Sequence, residues 1–209
     1  MTADPVADAA NAARQGGLII FPTDTVYGIA TRPDDPGATA ALFEAKRRPA
    51  GLELPVLAAS TLVLRTLASF DDRATALASA FWPGPLTLVL PREPPSSAWQ
   101  LGGAGQTIGV RVPRHGLALA VLAAAGPLAV TSANISGGGP VTTCPELQSI
   151  FGEKVEIYLC QDRPLSNPAS TVIDLAHGPA RLLRRGSVLT DAIVQLIGPL
   201  LDSGPSQAQ

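Results

Sequence analysis

A short apolar run followed directly by a polar loop is the feature that most constrains this fold. Residues 18–21, LIIF, stand between a glycine and a proline. Four apolar residues between such breakers are too few for a helix and are typical of a buried strand. Polar groups follow at once, at the carboxyl end of that strand, where open α/β sheets bind ligands. They belong to Thr23, Asp24, Thr25 and Tyr27. A polar turn is the alternative for any one of them, but the whole set indicates a site.

The chain is divided into many short elements by 20 glycines and 20 prolines. That pattern is typical of a mixed α/β domain rather than a helical bundle. The 209 residues, 46% of them hydrophobic, suffice for one sizeable aliphatic core. No repeat or linker divides the chain, so we expect one domain over residues 1–209, with a frayed tail from about residue 202.

The charge and cysteine content exclude some classes of protein. A net charge of -2 excludes a generally basic nucleic-acid binder, so any RNA contact would need a local patch. Cys144 and Cys160 lie far apart and outside any metal-binding spacing, and we expect both to be free, small hydrophobic residues. With no leader pattern and no long apolar run, we predict a cytoplasmic protein without membrane contact.

A helix after the first loop carries two cations at its end. Asp35 and the proline that follows it are typical of an N-cap and first helical residue. The helix should end before Pro49, which places Lys46 and Arg48 near its C-terminus. The helix dipole alone would explain either cation there. A cationic end facing the polar loop would instead bind an anion.

Arg111 lies in a predicted strand over residues 107–112, between two valines. Since neighbouring strand residues point to opposite faces, its side chain must face away from whatever the valines pack against. It is either a solvated surface arginine or a guanidinium that reaches into a cleft to hold a carboxylate.

A second polar loop, residues 131–140, follows the predicted strand 128–130. It contains Ser132, Asn134 and three successive glycines, which would let backbone N–H groups approach a phosphate. A glycine run also occurs in ordinary surface loops. The loop matches neither the P-loop nor the G-x-G-x-x-G dinucleotide pattern.

The remaining elements are predicted from local patterns. Residues 91–105, rich in proline, serine and glycine, should form a mobile surface loop. Strands are expected at residues 54–58, 86–90, 155–160, 171–174 and 180–184, and helices at residues 1–16, 72–81, 117–125, 144–151 and 190–200.

The sequence lacks the residues of hydrolytic catalysis. His115 and His177 are the only histidines, both at predicted turns or helix starts, and no serine lies in a G-x-S-x-G motif. No metal-ligand spacing is present. The cations and hydroxyls that remain suit positioning and charge neutralisation, as in attack on the α-phosphate of ATP with loss of pyrophosphate.

The chain resembles the YrdC/Sua5 family in motifs that follow the family's order between about residues 8 and 190. They are F-P-T-D-T-V-Y-G, K-x-R-P, F-W-P-G-P-L-T-L-V-L, V-R-V-P-x-H, T-S-A-N-x-S-G, S-T-V-x-D and L-R-R-G. The resemblance implies a twisted, mixed, open sheet flanked by helices, with a concave ligand cleft. It also implies synthesis of threonylcarbamoyl-adenylate from L-threonine, bicarbonate and ATP, for the t6A modification of tRNA. The chain ends too early for the extra C-terminal domain of longer members, which implies the short form.

The resemblance also implies roles for individual residues. ATP would be bound by Lys46, Arg48, Thr107, Ser132, Asn134 and Arg184. L-threonine would be bound by Thr23, Arg111 and Ser170, with Arg111 on its carboxylate. Mg²⁺ would enter with ATP, and no protein nucleophile or resident metal is expected. The product would pass to the t6A transfer machinery, and tRNA or double-stranded RNA is a further partner to consider.

Two departures from the family pattern leave alternatives open. Leu52 and Glu53 stand where the family usually has a lysine or asparagine and then a proline or glycine, and Pro140 lies where a hydroxyl is commoner. A paralogue of YciO type, with a nucleotide cleft and another substrate, is one alternative. A double-stranded RNA-binding module, which predicts steeply salt-dependent binding, is the other.

Overall fold

Ten strands form one mixed sheet in the computed structural model, which describes residues 4–202. The strands are β1 (Ile19–Phe21), β2 (Gly28–Thr31), β3 (Val56–Leu57), β4 (Leu86–Pro91), β5 (Thr107–Arg111), β6 (Leu128–Ser132), β7 (Ile157–Tyr158), β8 (Thr171–Asp174), β9 (Arg181–Arg184) and β10 (Leu201–Asp202). Their order across the sheet is β10-β9-β8-β4-β5-β3-β6-β2-β1-β7. The sheet contains antiparallel pairs such as β1–β2 and β4–β5 and parallel pairs such as β3–β5 and β4–β8. The predicted mixed open sheet is confirmed.

Helices connect the strands, and aspartate side chains cap the start of several of them. They are α1 (Pro5–Arg14), α2 (Pro36–Lys46), α3 (Thr61–Leu64), α4 (Asp72–Phe81), α5 (Pro94–Ser97), α6 (Gly116–Ala125), α7 (Cys144–Phe151) and α8 (Thr190–Ile197). The carboxylates of Asp4, Asp35 and Asp71 accept hydrogen bonds from the first N–H groups of α1, α2 and α4. Helix α2 ends because Arg47 adopts a left-handed conformation, with φ 51°.

The two faces of the sheet are covered unequally. A large core cluster on the first face contains residues of α2, α4, α7 and α8, among them Leu42 and Leu77. A smaller cluster on the second face packs α1 and α6 against β1, β2, β3 and β6. This second cluster contains no residue of β4, β5, β8 or β9. Half of the second face is therefore not covered by the helices that close the other half.

The uncovered half of the second face carries polar side chains. Leu57 belongs to the second-face cluster and is in register with Arg111, so the arginine points to that face. Thr87, Val172 and Arg184 lie side by side across β4, β8 and β9. Strand alternation, which buries Leu88 and Ile173 on the first face, turns these neighbours towards the open half. We call this open half the cleft.

Several local predictions differ from the structure. Strands β2 and β10 are not predicted from the sequence, and β3 and β7 are each only two residues long. Thr190 is the first residue of α8 rather than its cap, and the helix ends at Ile197 because Gly198 follows with φ 82°. The frayed tail expected from residue 202 lies mostly outside the described residues.

Residues 91–105 were expected to form a mobile loop, but they include α5 and are tied to the sheet. Ser96 and Leu101 are buried. Arg92 donates to the carbonyls of Thr107, Ser96 and Trp99 at 2.6, 3.1 and 2.8 Å. The predicted surface loop therefore contains a short helix and is anchored by Arg92, whose buried side chain satisfies backbone carbonyls of the segment, and its mobility stays a prediction.

The prediction that both cysteines are free is also wrong. Cys144, at the start of α7, forms a disulfide with Cys160, just after β7. The two cysteines are 16 residues apart in the sequence, and no local pattern reveals that the chain folds back to bring them together. Within residues 4–202, no helix combines the length and the hydropathy needed to cross a bilayer.

Candidate active site

The loop between β1 and β2 reaches across the second face to Arg111. Three strands separate β1 from β5 in the sheet, yet Arg111 Nη2 lies 2.6 Å from Asp24 Oδ1, and Nη1 lies 3.1 Å from Thr25 Oγ1. Asn167, just before β8, donates to the carbonyl of Asp24 at 3.1 Å. The loop therefore forms one wall of the cleft, and β4, β5 and β8 form its floor.

Arg111 is buried and held from three sides, since its Nε also donates to the carbonyl of Gly84 at 3.0 Å. Of the two interpretations of Arg111, the structure selects the guanidinium inside the cleft. Burial lowers the pKa of Arg111, and the neighbouring Asp24 carboxylate opposes that effect. A guanidinium group stays charged in proteins, so Arg111 keeps its positive charge despite this shift.

Thr23 is connected to Arg111 through Thr25. Thr23 Oγ1 donates to the carbonyl of Val26 at 2.6 Å, and it lies 3.0 Å from Thr25 Oγ1. Because Thr25 accepts from Arg111 and Thr23 already donates to Val26, the Thr25 hydroxyl must donate to Thr23. This chain of hydrogen bonds fixes the buried hydroxyls of the loop against the arginine.

Ser170 joins Arg184 to the floor of the cleft. Arg184 Nη2 donates to Ser170 Oγ at 2.8 Å and its Nε donates to the Ser170 carbonyl at 3.0 Å. Ser170 Oγ lies 2.9 Å from Thr87 Oγ1. Burial lowers the pKa of Arg184, and the charge of Arg184 in turn contributes to lowering the pKa values of Arg48 and Arg111. Arg184 thus lies close enough to both Arg48 and Arg111 to repel each of them.

Arg48 is oriented by the backbone of the segment that departs from the family pattern. Its Nε donates to the carbonyl of Leu52 at 3.2 Å, and its Nη2 donates to that of Glu53 at 3.0 Å. Within residues 4–202, neither Arg48 nor Arg184 forms an ion pair with a carboxylate. Both therefore present uncompensated positive charge, as an anion-binding site requires.

Lys46 holds the second polar loop through hydrogen bonds from its ammonium group. Its buried ammonium donates to the carbonyls of Ser132 and Asn134, and to Asn134 Oδ1 at 3.3 Å. Burial, and to a smaller extent the charge of Arg48, lowers the pKa of Lys46 to about 7. Its contacts in this structure thus make Lys46 a support of the loop.

Ser132 and Asn134 form the edge of that loop. Ser132 Oγ donates to Asn134 Oδ1 at 2.6 Å, and Asn134 Nδ2 donates to the carbonyl of Gly138 at 2.8 Å. Asn134 therefore closes the glycine-rich segment into a ring of hydrogen bonds. The Ser132 side chain remains exposed beside it.

Thr107 lies at the opposite end of β5 from Arg111, roughly 13 Å away along the strand. Its hydroxyl donates to Glu53 Oε2 at 3.2 Å, while Glu53 Oε1 accepts from Arg92 at 3.0 Å. Burial raises the pKa of Glu53 although Arg92 and Thr107 oppose it. Thr107 is therefore engaged by a neighbouring carboxylate, apart from the Arg111 network.

The predicted residues thus form two connected groups and one outlier. Arg111, Thr23, Ser170 and Arg184 line the floor and wall of the cleft. Lys46, Ser132 and Asn134 belong to the second polar loop or support it. Arg48 is close to both groups: the charge of Arg184 contributes to lowering the pKa of Arg48, and the charge of Arg48 contributes to lowering the pKa of Lys46. Thr107 is the outlier. Asp24 is predicted to lie in the site loop but without a partner or a role, and Thr87 and Asn167 are not predicted as site residues, although a threonine within an apolar strand is a usable signal for Thr87.

The described residues contain no group of three or more His, Cys, Asp or Glu side chains that could hold a metal ion. The carboxylates beside the cleft, Asp24 and Glu53, are both paired with arginines. The donor set of the cleft is cationic and hydroxylic, which suits an anionic ligand.

Comparison with known proteins gives one consistent result. A family model of the Sua5, YciO and YrdC proteins, described as telomere recombination, matches residues 11–186. The chain is 39% identical over 194 residues to threonylcarbamoyl-AMP synthase of Pyrococcus abyssi. The matched region covers 92% of this chain and 57% of the relative. This chain thus spans somewhat over half the length of that protein.

Solved structures agree. The crystal structure of P. abyssi Sua5 complexed with L-threonine has a TM-score of 0.85 and 35% identity, and covers 97% of this chain and 60% of that one. Escherichia coli YciO has a TM-score of 0.82 and 25% identity, and covers 92% of each chain. The chain belongs to the Sua5/YciO/YrdC family.

Proposed function

We propose that this protein synthesises L-threonylcarbamoyl-AMP from L-threonine, bicarbonate and ATP, and releases pyrophosphate. The observation that carries the proposal is a pair of uncompensated guanidinium groups, Arg48 and Arg184, beside the hydrogen-bonded Arg111 network in one cleft. Such a cleft suits a polyphosphate next to a small zwitterion. Relatives named as synthases and the L-threonine complex of P. abyssi Sua5 support the assignment.

The first chemical step forms a carbamate on the amino acid. The threonine amine attacks the carbon of bicarbonate, the new N–C bond replaces a C–O bond, and water leaves. Starting from the ammonium form, one proton is released for each carbamate formed. The protein's contribution at this step is to hold the two reactants together. We assign Thr23, Arg111 and Ser170 to L-threonine, with Arg111 on its carboxylate.

The second step transfers the adenylyl group. A carbamate oxygen attacks the α-phosphorus of ATP and pyrophosphate leaves as the P–O bond to the β-phosphate breaks. Arg48 and Arg184 neutralise the charge that develops on the leaving group. We assign Lys46, Ser132 and Asn134 to the same nucleotide subsite, in which Lys46 shapes the loop, and Thr107 to its far edge.

We propose that Mg²⁺ enters as part of the nucleotide substrate. Cations and hydroxyls fit the phosphates of an Mg²⁺-bound nucleotide, whose metal is held mainly by phosphate oxygens and water. A cytoplasmic site of action, delivery of the product to the t6A transfer machinery, and binding of tRNA or double-stranded RNA all stay predictions. Steeply salt-dependent RNA binding would support the last of these.

One observation favours the YciO-type alternative. Glu53, a departure from the family pattern, accepts a hydrogen bond from the Thr107 hydroxyl and places a carboxylate near the proposed nucleotide subsite. The higher identity to P. abyssi Sua5 than to YciO favours the synthase. The synthase proposal and the YciO-type alternative differ in whether L-threonine is the substrate.

The test measures pyrophosphate released by the purified protein with ATP, Mg²⁺ and bicarbonate, with and without L-threonine. We expect release that depends on L-threonine and a product with the mass of threonylcarbamoyl-AMP. Nucleotide binding without L-threonine-dependent release would exclude the synthase and favour the paralogue.

Two substitutions test how the cleft is divided. Arg111→Ala should raise the L-threonine requirement at least tenfold more than the ATP requirement, and Arg48→Ala should do the reverse. Arg181→Ala is the matched control, because Arg181 lies exposed in the same strand as Arg184. Equal effects of Arg111→Ala and Arg48→Ala on both substrates would contradict the division.

A further inference from the structure

Asp24 carries a carboxylate oxygen that the protein itself does not satisfy. Its Oδ1 pairs with Arg111 at 2.6 Å, but its Oδ2 is buried and accepts no hydrogen bond from the residues that the structure describes. The side chain is 12% exposed and lies in the cleft wall. A buried carboxylate oxygen is stable only with a donor, so this atom indicates where a ligand donor belongs.

Arg111, in turn, has hydrogen-bond donors that the protein does not use. Its guanidinium carries five N–H groups, of which three donate to Gly84, Thr25 and Asp24. The other two remain for a ligand. The bound partners hold the guanidinium in place, so its free donors have a fixed direction.

The pair therefore presents a positive and a negative group side by side. The α-carboxylate and α-ammonium of an amino acid are likewise adjacent and opposite in charge. An arginine alone would bind any carboxylate, including that of a hydroxy acid. A neighbouring carboxylate with a free oxygen favours an ammonium group, because the ammonium donates a hydrogen bond and also carries a positive charge that a hydroxyl lacks.

We propose that Asp24 Oδ2 accepts a hydrogen bond from the α-amino group of the substrate, so that Asp24 and Arg111 together bind the zwitterionic head of the amino acid. This inference rests on the proposed function. It gives Asp24 a direct contact with the nitrogen that reacts with bicarbonate, and makes it the residue that selects amino acids over hydroxy acids.

The test compares L-threonine with (R)-3-hydroxybutanoate, which keeps its carboxylate and hydroxyl but has hydrogen in place of the amino group. Both ligands are titrated calorimetrically into the wild-type protein. L-threonine should bind at least about tenfold more tightly, as expected for a charge-assisted hydrogen bond. Equal affinities would overturn the proposal without any variant, so the test does not depend on whether a substitution folds.

The variant arm uses Asp24→Asn, which keeps the shape of the side chain and removes its charge. The preference for L-threonine over (R)-3-hydroxybutanoate should fall to less than about threefold, while ATP affinity changes little. Asp34→Asn, which alters an exposed ion pair with Arg32, is the control and should keep the full preference. A folded Asp24→Asn protein that keeps the full preference would overturn the proposal.

The outcomes separate this inference from the proposed function. A wild-type protein that releases pyrophosphate with L-threonine but shows no preference over (R)-3-hydroxybutanoate refutes only the role of Asp24. A wild-type protein that neither binds L-threonine nor releases pyrophosphate with it refutes the synthase assignment, and the inference with it.

Discussion

Lys46 illustrates how a single residue can have two roles that the sequence does not separate. Its place at the end of a predicted amphipathic helix, followed by Arg48, indicates a cation near an anion site. In the structure its ammonium is buried and donates to the carbonyls of Ser132 and Asn134. The helix end is local and predictable, whereas those acceptors lie more than 80 residues away in the chain.

The lowered pKa of Lys46, about 7, predicts that nucleotide binding is coupled to proton uptake. About one pH unit above that value most of the ammonium is neutral, and a bound triphosphate would favour its charged form. Calorimetric titration of ATP in two buffers of different ionisation enthalpy should show uptake of up to one proton. Lys46→Met should abolish it.

Lys154 provides the control, because it is the chain's other lysine and is exposed. Lys154→Met should leave the uptake unchanged. If the binding enthalpy of the wild-type protein does not depend on the buffer, Lys46 does not change its protonation state when ATP binds.

At the scale of helices and strands, the sequence predicts what local residues determine. Asp35 caps α2 as expected, since a side chain capping its own helix needs no distant partner. Strand β2, in contrast, is four residues long, and its glycine and alanine give no apolar alternation. It forms because β1 and β6 pair with it on both sides.

The site residues likewise divide into those that a local pattern predicts and those that depend on distant contacts. Arg111 can be predicted to face away from its valines, and it does, because alternation is a local property. Asp24 was not recognised as its partner, since an 87-residue separation gives no signal in one sequence. Residues 91–105 resemble a mobile loop by composition, but the buried Arg92 that orders them acts through carbonyls, and these leave no pattern in the sequence.

The Cys144–Cys160 disulfide predicts a measurable contribution to stability. It closes a segment with a sequence separation of 16, for which loop closure in the unfolded chain corresponds to about 3 kcal/mol. The double substitution Cys144→Ser and Cys160→Ser should lower the free energy of unfolding by about that amount. Denaturant unfolding of both proteins measures the difference.

Reductant supplies the control. Adding dithiothreitol to the wild-type protein should give nearly the same loss, and adding it to the double variant should give none. If wild-type stability is the same with and without reductant, the cysteines do not form a disulfide in solution.

For the molecule as a whole, a net charge of -2 conceals an uneven distribution of charge. Arg48, Arg184 and Lys46 are crowded around one cleft, and each has its pKa lowered mainly by burial. Glu53 is half-buried near the same cleft, and this burial raises its pKa. These shifts all mean that the charged forms are costly in the folded protein, so the geometry that suits an anionic ligand is expected to reduce stability.

Glu53 and Lys46 predict opposite slopes of stability against pH in separate windows. The folded pKa of Glu53 is raised above 4.5, so its contribution is fully present below that value and is lost as the pH rises through the folded pKa. The folded pKa of Lys46 is about 7, below its ordinary 10.5, so the unfolded chain binds more protons between these values and stability rises with pH there. Together the two groups contribute a minimum of stability between the fall in stability due to Glu53 and the rise due to Lys46, which begins at about pH 7. Denaturant unfolding from acid to alkaline pH tests this: Glu53→Gln should flatten the slope on the acid side, and Lys46→Met the slope on the alkaline side. If neither substitution changes the pH dependence, the two groups do not titrate differently in the folded and unfolded protein.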